Sequence, residues 1–206
     1  MSNRQRVVDL ATQQAGITVT SAKDKYIALL GPGETPAMQQ YFCDPKTSGC
    51  ALTIRGMWRL LGVKDKRVNP AYVFGKAVTW LVAIARDRGA WVSAKMGTTP
   101  QPGDFVLVGG NPTTDGGVEH VFTVLTVAPQ PDGTVLLTSV DGGQRDAKGN
   151  QSIFQKTRRW AVRNGAYWDV SAAGSDPGSN APGGRKVMGW GDIEKILGAE
   201  APLKVS

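Results

Sequence analysis

The 206-residue chain predicts an α+β fold, with N-terminal helices packed on one face of an antiparallel sheet of about five strands. Three observations predict it. Apolar residues recur with a helical period up to Gly89 and with a period of two after it. The pair Asn164-Gly165, set between "RRWAVR" and "AYWDVS", is a two-residue hairpin signal. The composition, 41% hydrophobic and 20% charged, suits one packed core rather than a disordered chain.

Taken in order, residues 3–16 read as a helix with Val7, Val8, Leu10, Ala11 and Ala15 on its apolar side, and residues 22–30 as a second helix that stops at "GPGETP". Residues 38–49 form a loop or partial helix. The next helix carries Cys50, Ile54, Met57, Trp58 and Leu61 on one face, with Ser48 as its N-cap, a start one or two residues before Cys50, and Gly62 as its stop. Asn69 and Pro70 mark the cap and first position of another, whose buried stripe is Phe74, Ala77, Leu81, Ile84 and Ala85. The strands are "GDFVLVGG", "EHVFTVLTV", "TVLLTSVD", "RRWAVR" and "AYWDVS". Residues 1–171 form the domain on this reading, 172–184 a Gly/Ser/Pro linker, and 185–206 a tail, with Trp190, Ile193, Ile196 and Leu197 at helical spacing, that docks back on it.

A formal charge of +7 favours anionic surroundings. The basic residues are spread along the chain, and Arg158, Arg159 and Arg163 near Trp160 read as the solvent face of a hairpin, so no nucleic-acid partner is expected. No run of 18 apolar residues and no charged-then-apolar leader is present, which predicts no membrane span and synthesis in the cytoplasm without a signal peptide. Two cysteines, Cys43 and Cys50, and one histidine, His120, lack the paired ligands of a structural zinc site, and no cofactor is expected.

Those few residues suffice for thiol chemistry. A cysteine in the first helical turn feels unpaired N–H groups and the positive end of the helix dipole, which favour thiolate. His120 is the only imidazole available as its base. A hairpin centred between Gln130 and Pro131 sets Asp141 opposite His120, on the same face at about 5.5 Å between Cβ atoms, where it orients the ring. A slip of one residue would turn it away. Gln144 is the fallback orienter.

At these residues the chain resembles the NlpC-type branch of the papain-like cysteine peptidases, related to the CHAP amidases. The likeness rests on "SGCALTIRGMWRLLGV", "TPQPGDFVLVGG" and "EHVFTVLTV" and spans about residues 3–141. It implies a papain-like, NlpC-type fold, with Cys50 as nucleophile, His120 as base and Asp141 as orienter. The family commonly has Asp-Cys-Ser-Gly where this chain has Gly49-Cys50-Ala51-Leu52, and often places a tyrosine near the oxyanion, for which Tyr26 and Tyr41 both stand as candidates. The implied activity is cleavage of peptide or amide bonds in peptidoglycan. With no export signal, the expectation is an antibacterial effector carried by a type VI secretion machine into a rival's periplasm and blocked by a cognate immunity protein, or a phage-type lysin reaching the cell wall. The alternatives are a cysteine protease or deamidase-like toxin acting on a protein, and a non-enzymatic basic binding module.

Overall fold

A computed structural model describes residues 1–30, 35–44, 49–68, 77–109, 118–171 and 184–198. The helices α1 (Asn3–Gln14), α2 (Val19–Leu30), α3 (Pro36–Cys43), α4 (Cys50–Leu60) and α5 (Ala77–Asp87) precede the strands, and α6 (Ile193–Gly198) follows them. The strands are β1 (Trp91–Ser93), β2 (Phe105–Gly109), β3 (Val118–Pro129), β4 (Val135–Arg145), β5 (Gln151–Arg163), β6 (Ala166–Asp169) and β7 (Arg185–Gly191).

These strands do not make the open, papain-like sheet with helices on one face that the sequence predicts. Strands β2 to β7 run in order around an antiparallel ring, because β7 pairs with β2 along one edge and with β6 along the other. The result is a closed six-stranded barrel with β1 as an extra strand beyond β7. The closing strand, "RKVMGWG", lies in the segment read as a helical tail; among the described residues the helix there is α6. Closure gives the sheet two different faces. One apolar cluster, including Val106, Phe122, Leu137, Trp160, Tyr167 and Trp190, draws on all six ring strands and on no described helix, so it fills the barrel interior. The other joins the helices to the outer wall, with Trp58 edge-on to Phe105 at 5.4 Å.

Local sequence explains most of the helices. Thr35 caps α3 by accepting from the Met38 N–H at 3.4 Å with Pro36 at the first position, so the stretch read as a loop or partial helix is helical as far as Cys43. The end of α4 follows the expected pattern: Gly62 takes φ +90° and the Val63 N–H reaches the Trp58 carbonyl at 3.0 Å. Its start does not, since Gly49 is the cap, no side chain caps it, and Cys50 is the first helical residue. Ser48, Asn69, Pro70 and Phe74 lie outside the described residues, as do 172–183 of the expected linker and the end of the tail. Every residue from 50 to 58 is buried, Arg55 included, so α4 is enclosed on all sides until its last turn, where Leu60 is exposed. No helix among the described residues is long and apolar enough to cross a membrane.

Candidate active site

The N-terminus of α4 sits on a glycine pair. Gly142 and Gly143 form an irregularity in β4 next to β5, and Gly143 has φ +68°. A Cβ on Gly143 would stand 2.6 Å from the Gly49 nitrogen and 2.7 Å from that of Cys50; one on Gly142 would strike Thr53 Oγ1 at 1.9 Å. Only glycine allows this approach. The Thr53 hydroxyl in turn donates to the Gly49 carbonyl at 2.9 Å.

Here the structure brings Cys50, His120 and Asp141 together. Cys50 is 3% exposed and its thiol is hydrogen-bonded to the His120 ring. His120, 5% exposed, places Nε2 at 2.6 Å from Asp141 Oδ2. A carboxylate can only accept, so Nε2 carries the proton and Nδ1 is the nitrogen left for the thiol. Burial opposes a charge on this ring, but its bonds to Asp141 and Cys50 and their negative charges outweigh that and hold the imidazole up at about 9. Burial likewise works against an ionised Asp141, yet the Arg158 guanidinium, then His120 and Ser139, hold its carboxyl well below the usual carboxylate range.

The register that produces this contact is not the expected one. The β3–β4 turn closes with Gln130 N–H on the Thr134 carbonyl at 2.8 Å, and β3 has a bulge between Val124 and Thr126. Thr123 then faces Val140 and Val124 faces Ser139, which sets Asp141 across from Phe122, two residues from where it was expected. A displacement of two keeps the side chain on the same face, so the contact to His120 becomes diagonal.

The fallback orienter, Gln144, is turned elsewhere: its amide nitrogen donates to the Gly142 carbonyl at 3.4 Å and its oxygen accepts from Lys156 Nζ at 2.5 Å. Of the two tyrosines, Tyr26 is wholly buried and its hydroxyl has no hydrogen-bond partner among the described residues. That hydroxyl lies 2.8 Å from where a Cβ on Gly49, the residue before Cys50, would stand. Burial first, and then the neighbouring Cys43 and Cys50, push its phenol well above the ordinary range. Tyr41 is half-buried, with its ring edge-on to Phe42 at 6.1 Å. Neither cysteine is in a disulfide, and burial pushes the Cys43 thiol up against the opposing charge of Lys23.

Arg158 is the functional-site neighbour that sequence reasoning misplaced. It is 3% exposed, lies inside the barrel and is bonded to Asp141 and Asp169. The signal was present, because Arg158 and Trp160 share a face of the strand and Trp160 is interior. "QPGD" has a structural use as well: Asp104 accepts from Arg4 at 2.6 Å and from the Ile193 N–H at 3.0 Å, tying α1 and α6 to the barrel wall. Among the described residues no cluster of His, Cys, Asp and Glu could hold a metal ion. No family model matches the chain, and no curated protein or solved structure matches it.

Proposed function

We propose that this protein is a cysteine hydrolase that cleaves peptide or amide bonds in peptidoglycan. The observation that carries the reading is the hydrogen-bonded row from Cys50 through His120 to Asp141, placed at the start of α4. In this reading the Cys50 thiolate attacks the amide carbonyl carbon, and the carbonyl electrons move onto oxygen. Tyr26, whose hydroxyl has no other partner among the described residues, donates to that oxyanion. The His120 imidazolium then passes its Nδ1 proton to the leaving amine as the C–N bond breaks, leaving a thioester. Water, losing a proton to His120, attacks the thioester and releases a carboxylic acid and the Cys50 thiolate, with His120 again an imidazolium. Asp141 keeps the ring in the required tautomer throughout.

The likeness to NlpC-type peptidases around Cys50 and His120, together with the +7 charge, supports peptidoglycan as the substrate. Delivery as an antibacterial effector or lysin, with an immunity protein as partner, belongs to the same proposal. The test is digestion of purified Gram-negative peptidoglycan by the wild-type protein and by Cys50→Ala, with fragments identified by mass spectrometry. New muropeptides from the wild type alone support it, and no cleavage by either overturns it.

A further inference from the structure

We propose that Arg158 is a positioning residue for the Cys50–His120 pair, acting through Asp141 from inside the barrel. The inference rests on the reading of Cys50 as nucleophile and His120 as its base. Arg158 holds Asp141 twice over. One guanidinium nitrogen is bonded to Oδ2, the same oxygen that accepts from His120. The Nε–H donates to Ser139 Oγ at 2.9 Å, and the Ser139 hydroxyl donates to Asp141 Oδ1 at 2.5 Å. The guanidinium is itself fixed from behind, by Asp169 and by the Phe122 ring, whose centroid lies 4.0 Å from Cζ. Asp169 is fixed in turn by the Ser171 hydroxyl at 2.5 Å.

With the thiol ionised, the row reads minus, plus, minus, plus, minus: Cys50, His120, Asp141, Arg158, Asp169. Each charge after the first lies on a different ring strand, β3, β4, β5 and β6 in turn. In a buried row the charges are poorly screened. The cation at Arg158 therefore makes every proton on the Cys50–His120 pair easier to remove, and the anion at Asp169 makes it harder. Besides these, Tyr26 from α2 is near both Cys50 and Cys43 of α3, Lys23 is near Cys43, and Lys156 of β5 is bonded to Gln144.

The test uses the full chain with Cys43→Ser as background, so that Cys50 is the only thiol, and reads two quantities that need no substrate. One is the pH midpoint of His120, followed by NMR as the chain's only imidazole. The other is the pH dependence of Cys50 alkylation by iodoacetamide. Arg158→Met is expected to raise both midpoints by about one pH unit, a tenfold gain in proton affinity. Arg158→Lys restores the charge and brings them back toward the starting values. Asp169→Asn, which keeps Arg158 in place, shifts both down. If Arg158→Met does not fold, the direction seen with Asp169→Asn decides. A folded Arg158→Met with unchanged midpoints, or an Asp169→Asn that leaves them unmoved, overturns the proposal and reduces Arg158 to packing. Failure of peptidoglycan cleavage would leave these titrations measurable, so the two readings fail separately.

Discussion

His120 makes the folded state itself pH-dependent. Its imidazole titrates at about 9 in the fold against 6.5 for an ordinary histidine, a gap worth about 3 kcal/mol at ~1.4 kcal/mol per pH unit. A group whose proton is held more tightly in the folded state stabilises fully below its unfolded value. That contribution is therefore complete below pH 6.5, declines as the pH rises from there, and is gone above about 9. The measurement is urea unfolding of the wild type and of His120→Gln at a series of pH values between 6 and 10.5. The difference in unfolding free energy between the two should shrink by about 3 kcal/mol across that range. Because the chain has one histidine, the NMR midpoint of its imidazole checks the same quantity directly. A midpoint near 6.5, or a stability difference that stays flat with pH, would refute the argument that Asp141 and Cys50 outweigh burial.

Two further outcomes separate chemistry from packing. Tyr26→Phe removes a hydroxyl that has no partner among the described residues, so stability should hold or rise by about 1 kcal/mol, while under the proposed function turnover on peptidoglycan should fall about 10²-fold; unchanged turnover excludes Tyr26 as the oxyanion donor. Gly143→Ala puts a Cβ at φ +68° and 2.6 Å from the Gly49 nitrogen, and should cost about 1–3 kcal/mol in thermal or urea unfolding and slow Cys50 alkylation. Gly149→Ala is the control, since Gly149 has φ +81° with nothing within 4 Å, and should lose less.

The change of period at Gly89 and the Asn164-Gly165 turn, where both residues take positive φ, were legible because they depend on neighbouring residues alone. Barrel closure was not. In β7 the interior residues Val187 and Trp190 break simple alternation, because the pairing with β2 shifts between Leu107 and Val108; the same Trp190 then looks like part of a helical stripe with Ile193 and Ile196. At the site, Cys50 and His120 stood out as rare residue types, whereas the Asp141 position depended on a bulge that no local signal marks. Parity, not register, is what brings Asp141 to the ring. Arg158 was misjudged because an arginine on a strand usually faces water, and only closure of the sheet gives that face an inside.

The ring has one seam made by a late segment. Strand β7 follows β2 by some eighty residues in the chain, so during synthesis the other five ring strands emerge first and must wait with both ends of the sheet unpaired. Until β7 arrives, Val106 on β2 and Tyr167 on β6 have no strand between them, and what becomes the barrel interior is the open face of a sheet. The interior is thus completed by the last ring strand to be made, which brings Val187 and Trp190 to it.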